Sequence, residues 1–162
     1  MISAAEIGRP PELDSSQFND VVASAELAEV RLVNSSFSVQ PVYFDAKEAE
    51  NFEFNLNSNS HEPYFDDESL SLFAAFDYSV QVKKEDEVIL ECKAQYVTVF
   101  NLNKAFDFKL IAYFARKVGS NISYPYFREH VAGQSWASGT NLPVLPLMKI
   151  GAGEAAKAPK ET

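Results

Sequence analysis

Hydrophobic and polar residues alternate over four stretches of the chain. From Leu70 to Val82, the residues Leu70, Leu72, Ala74, Phe76, Tyr78, Val80 and Val82 share one face, and Ser71, Phe73, Ala75, Asp77, Ser79 and Gln81 share the other. From Val88 to Asn101 the apolar row is Val88, Leu90, Cys92, Ala94, Tyr96 and Phe100. Period two is the mark of a half-buried strand. The five charged residues Lys83 to Glu87 between these two stretches predict a turn and an antiparallel hairpin. Phe52, Phe54 and Leu56 alternate with Glu53, Asn55 and Asn57 in a shorter strand. Val30, Leu32 and Asn34 alternate with Arg31, Val33 and Ser35 in a strand from Val30 to Gln40, ended by Pro41. The connection from Pro41 to Asn51 is too long for a tight hairpin. It holds Tyr43 and Phe44, which act either as anchors packed on the core or as exposed walls of a groove. Ser58 to Asp67 is rich in Asn, Ser and Asp and reads as a loop.

Two further segments follow a helical period. Ser15 and Ser16 are N-cap residues ahead of Phe18, Val21, Val22 and Ala25, which predicts a short helix over about Ser16–Ala28. Between Lys104 and Val118, Ala105, Phe108, Ile111, Ala112 and Ala115 recur three or four apart, and Phe106, Leu110, Tyr113 and Phe114 widen the stripe. Gly119 is the expected cap of that helix, with a turn from Asn121. A last helix is expected over Tyr126–Ala137, with Pro125 in its first turn and Gly139 at its end. Pro143 and Pro146 then keep Leu142, Val144, Leu145 and Leu147 in an extended strip. Strands followed by helices make an α+β plan: a four-stranded antiparallel sheet with helices packed on one face. Residues 1–28 are expected to form an arm and short helix, 29–150 the folded domain, and 151–162 a disordered tail too polar to bury a core.

Composition sharpens this picture at three points. The 162 residues include 13 Phe, 7 Tyr and one Trp, more aromatic surface than a core of this size needs for filling. Net charge −9 repels nucleic acid and anionic membranes and suits basic or unfolded polypeptides. The one cysteine, Cys92, excludes an internal disulfide framework. With no signal peptide and no membrane-spanning apolar run in the sequence, a reducing cytoplasm is the expected compartment.

Candidate chemistry is sparse. His61 and His130 are the only histidines, and no spacing suits a metal site. Glu129, His130 and Ser135 invite comparison with a catalytic triad, but five residues of helix turn His130 and Ser135 apart. The six glycines form neither GxxxxGK nor GxGxxG, so no nucleotide or other cofactor is expected. Asp66, Asp67 and Glu68 lack the spacing of a calcium loop. Neither an enzyme nor a metal centre is expected.

The run Tyr124-Pro-Tyr-Phe-Arg-Glu129, a helix, then Gly139-Thr140 and a Leu-Pro strip resembles the C-terminal half of the SecB export chaperones. The resemblance spans about Glu29 to Met148 and includes the cysteine-bearing strand that ends at Val99-Phe100. It implies an ATP-independent holdase, a homotetramer built as a dimer of dimers, and a connection at Pro41–Asn51 that crosses to the far side of the sheet. By the same resemblance, Tyr43, Phe44, Phe52, Phe54, Leu56, Leu142, Leu145 and Leu147 line a groove for an unfolded preprotein or antitoxin client. Tyr126, Phe127, Val131 and Trp136 belong to the oligomer contact. Read from the residues alone, Phe52, Phe54 and Leu56 are the core face of a strand. The N-terminal helix is a departure from conventional SecB and is shared with SecB-like chaperones attached to toxin–antitoxin operons. The loss of acidic residues at Ser36, Gln40 and Lys93 is a further departure from conventional SecB, from which weak or undetectable binding to the motor SecA is expected. An oligomeric adaptor domain with this fold and no chaperone activity is the alternative.

Overall fold

The computed structural model describes residues 15–45 and 51–147. The expected N-terminal arm and C-terminal tail lie outside them. The element order is α1 (Ser15–Ser24), β1 (Ala25–Val39), a 3-10 turn (Pro41–Phe44), β2 (Phe52–Ser60), β3 (Tyr64–Asp66), β4 (Ser71–Lys84), β5 (Glu87–Leu102) and α2 (Phe108–Ser138). All strands pair antiparallel, in the order β1-β5-β4-β2. Both helices contact each other, and α2 lies across β4 and β5. The four long strands of the α+β plan are present, and the connection after β1 does carry the chain to the opposite edge.

A fifth strand, β3, falls inside the stretch expected to be a loop. It continues the β2 edge, because both pair with β4: Ser60 lies opposite Phe76, and Tyr64 opposite Phe73. Pro63 interrupts the two, since it has no N–H to give a ladder. The break is clamped from both faces of the sheet. His61 Nε2 lies 2.6 Å from Asp77 Oδ2 on one face, and Glu62 pairs with Arg116 of α2.

The central hairpin carries the core. Leu72, Ala74, Phe76, Tyr78, Val80 and Val82 are buried beneath α2, with Leu90, Cys92, Ala94, Tyr96, Thr98 and Phe100 beside them. Alternation holds there because the strands are central and one face alone is covered. It fails in β1, where Ala28 and Val33 fall at register shifts and have no partner on β5. A bulge inserts one residue and reverses the side-chain sequence beyond it. Asn34 therefore lies with Gln95 on the open face, and Ser35 with Ala94 on the helix face, opposite to the simple alternation.

The two expected C-terminal helices are one helix. Gly119 is no cap but a buried crossing point, and Pro125 sits inside the helix. A proline costs α2 one backbone hydrogen bond, and the turn before it is pinned from below. The Tyr78 hydroxyl lies 2.8 Å from Ser123 Oγ and 3.2 Å from the Ser120 carbonyl, while Ser123 Oγ donates to the Gly119 carbonyl at 2.8 Å. Asp107 caps the N-terminus by accepting from the Lys109 N–H, and Gly139, with φ 69°, ends the helix as expected. At the N-terminus, α1 stops four residues early, at Ser24, and β1 begins at Ala25.

Candidate functional site

Residues Thr140 to Leu147 run back along α2 without backbone pairing to the sheet. Side chains hold them. The Leu142 N–H donates to Ser135 Oγ at 2.7 Å, Arg128 Nε donates to the Leu145 carbonyl at 3.0 Å, and the Tyr124 hydroxyl donates to the Pro146 carbonyl at 2.8 Å. Tyr43 fixes the start of the strip by donating to the Thr140 carbonyl at 2.8 Å. Burial raises the pKa of the Tyr43 and Tyr124 phenols, so both hydroxyls remain protonated donors at neutral pH. Leu142 and Leu145 pack on the core, and Leu147 is 74% exposed.

The helical repeat places the strip. At about 100° per residue, Tyr124, Arg128 and Ser135 lie on the flank of α2 opposite Tyr126, His130 and Gly133. The second flank borders a cleft with Val30 and Leu32 of β1, so the strip lies on the β4–β2 side. The apolar row of β2 borders that same side: Phe54 is paired with Val82 and Leu56 with Val80, both helix-face positions. Phe54 is 47% and Leu56 40% exposed, because β2 is an edge strand that α2 does not reach. Phe52 is more covered and stacks on Tyr43 at 5.6 Å, and Phe44, 54% exposed, meets Tyr43 edge-on at 5.6 Å. Of the two aromatics in the connection, Tyr43 is the anchor and Phe44 the open one. An aromatic cluster, an exposed apolar edge row and a leucine strip thus surround one side of α2.

The four residues expected at an oligomer contact divide. Phe127 and Val131 are fully buried in the chain's own core, with Phe127 stacked on Tyr78 at 5.2 Å. They are no contact surface, because the helix turns them onto the sheet. Tyr126 and Trp136 remain outside, at 48% and 90% exposure. Sequence reasoning missed the cleft beside Tyr126, lined by Val30, Leu32, Tyr96, His130 and Gly133 among others. Gly133, an unexplained glycine within a helix, is the signal that pointed there.

The open face of the sheet is polar over its middle rows, with Phe73, Ala75, Val97 and Val99 nearer the β3 end. Asn34, Gln95, Asp77 and Asn59 form one row across it, and Ser36, Lys93, Ser79 and Asn57 the next. Lys93 is paired with Glu91 at 2.8 Å, and Gln40 donates to Glu87 and to the Val88 carbonyl at 3.1 Å each.

Reactive chemistry is muted among the described residues. Burial pushes the Cys92 thiol up to about 11. Ser135 is engaged by the Leu142 N–H on the flank away from His130, whose buried Nε2 has no partner. No group of His, Cys, Asp and Glu there is placed to hold a metal ion, and no helix is long and apolar enough to cross a membrane.

No family model and no curated protein sequence matches this chain. A solved structure does: the SecB-like chaperone Rv1957 of Mycobacterium tuberculosis, in complex with a ChAD peptide from the HigA1 antitoxin. The match covers 83% of this chain and 96% of that one, with a TM-score of 0.62 and 18% sequence identity. The chain has the SecB-like fold. In this fold Tyr43, Phe52 and Leu142, far apart in the sequence, pack on one small cluster of Val82, Ile89 and Leu90.

Proposed function

We propose that this protein is an ATP-independent holdase chaperone that holds unfolded or aggregation-prone polypeptide between the β2 row and the 140–147 strip. The observation that carries this reading is the exposure of Phe54 and Leu56 on the helix-side face of the sheet, beside an extended leucine strip. An apolar row at a sheet edge gains about 25 cal/mol for each Å² that a client covers, before ordering costs. One such segment binds weakly, and several grooves on one oligomer raise avidity. We assign the oligomer to a homotetramer in the cytoplasm, with Tyr126 and Trp136 in its contacts. A solved chaperone of this fold holds an antitoxin peptide. That supports a dedicated client of the same kind for this chain. The polar open face, with Lys93 already paired to Glu91, offers little to SecA.

The test is dilution of a chemically unfolded enzyme into the protein without nucleotide. The wild type should keep it soluble. A Phe54→Ser, Leu56→Ser variant should fail while melting within a few degrees of the wild type, because both side chains are already half in water. A wild type that never suppresses aggregation, of this enzyme or of an antitoxin, leaves the adaptor reading in its place.

A further inference from the structure

The helix-side row of β2 changes character halfway along. Phe54 is paired with Val82, Leu56 with Val80, Ser58 with Tyr78 and Ser60 with Phe76. All four partners on β4 are buried, so nothing beneath the row calls for serine at its last two positions. β-branched residues are the ones that best fit a half-covered strand face. Neither serine makes a side-chain hydrogen bond among the described residues. Two residues further on, Glu62 reaches Arg116 of α2. The row thus passes from apolar through hydroxyl to charge. The leucine strip follows the same axis. Leu142 packs with Phe52 and Tyr43 on Val82 and Leu90, at the apolar end. Pro146 accepts from the Tyr124 hydroxyl, and the Tyr124 ring lies 5.7 Å from that of Tyr78, the partner of Ser58. Strip and row therefore run in one direction, towards the serines.

We propose that Ser58 and Ser60 select the class of client: an extended segment with about two alternate apolar side chains, followed by side chains that hydrogen-bond. An extended segment turns every second side chain to the same face. Phe54 and Leu56 receive two of these as apolar contacts. A third apolar side chain would lie on Ser58 and strip water from its hydroxyl without replacing the lost hydrogen bond. A serine or glutamine at that position replaces it. The row therefore favours the amphipathic border of an exposed apolar segment over a long, uniformly apolar one. This assignment rests on the holdase reading above and adds to it the chemistry of the segment that is held.

Two fluorescent peptides of equal length and charge make the test, titrated with the full chain and read by anisotropy. The mixed peptide carries leucine at two alternate positions, then serine and glutamine at the next two. The uniform peptide carries leucine at all four. The wild type should bind the mixed peptide at least as tightly as the uniform one, although the uniform one has more apolar surface to bury. Ser58→Val with Ser60→Val should invert the order, the uniform peptide gaining about tenfold. Ser58→Thr with Ser60→Thr keeps both hydroxyls and should keep the wild-type order, which separates loss of the hydroxyl from a change in the strand. A wild type that binds the uniform peptide about tenfold tighter overturns the proposal, even if the valine variant fails to fold. So does a folded valine variant with the wild-type order, or a wild type that suppresses aggregation and binds neither peptide. Each of these leaves the holdase reading standing. Neither peptide bound, with no suppression of aggregation, overturns both.

Discussion

Gly119 and Phe76 meet where α2 crosses β4: a Cβ on Gly119 would stand 2.7 Å from Phe76 Cζ and 2.9 Å from Thr98 Oγ1. Phe76 and Thr98 are both fully buried, so neither ring nor hydroxyl has room to retreat. Alanine gains about 1 kcal/mol of helix propensity over glycine, and overpacking a core costs about 1–3 kcal/mol. Gly119→Ala should therefore be destabilising, in spite of the better helix former, with a melting temperature lower by several degrees. An unchanged or higher melting temperature would mean that the helix rides further from the sheet than described.

Tyr43→Phe should loosen the leucine strip. It removes the donor to the Thr140 carbonyl and keeps the ring that stacks on Phe52. A loss of about 1 kcal/mol is expected, and the Leu142 amide should exchange faster with deuterium. Exchange at the wild-type rate would show that Ser135 and Arg128 hold the strip without Tyr43.

The Cys92 thiol should be inert in the folded protein. It is fully buried, and with its pKa pushed up to about 11 almost none is thiolate at neutral pH. A disulfide reagent added under native conditions should leave it unlabelled for as long as the protein stays folded, and label it at once in denaturant. Rapid native labelling would contradict the closed β4–β5 core.

Glu91 should contribute to acid sensitivity in a defined direction. The hydrogen bond from Lys93, then that from Gln81 at 2.6 Å, hold its carboxyl below the ordinary range. A carboxylate depressed in the folded state stabilises it above the unfolded pKa, and that stabilisation is lost as pH falls through the folded pKa. Lys93→Met should raise the Glu91 titration midpoint, read by NMR, and remove part of the stability lost on acidification. An unmoved midpoint would assign the shift to Gln81 alone.

The parts of the fold legible from sequence are those governed by burial on one side. The β4–β5 hairpin was readable because central strands under a helix must alternate, and Gly139 because a left-handed helix end favours glycine. Gly119 and Pro125 misled for a common reason. Each usually marks a helix boundary, glycine an end and proline a start, and here each is kept inside one helix by partners remote in sequence: Phe76 and Thr98 for the first, Tyr78 for the turn before the second. The three residues of β3 carry no period long enough to see. The bulges at Ala28 and Val33 leave no local signature in an edge strand exposed on most of its length. Of the candidate surface, the Phe52, Phe54, Leu56 row was visible as a pattern. Its openness was not, because exposure there depends on how far α2 reaches across the sheet. Phe127 and Val131 show the converse: apolar residues on a helix do not declare whether they face their own sheet or a neighbour.

Helix α1 passes into strand β1 without a single residue between Ser24 and Ala25, and the Ser24 hydroxyl is tied to Asn103 Oδ1 at 2.5 Å, just past the end of β5. The junction has no slack. A pull on the front of the chain is not absorbed by a linker: what the packing of α1 on α2 does not carry arrives at the pairing of Ala25 with Leu102. Mechanically, α1 is a handle fixed to the first rung of an edge strand. Whatever grips that handle holds the end of the ladder, and through it the border of the sheet on the side away from the leucine strip.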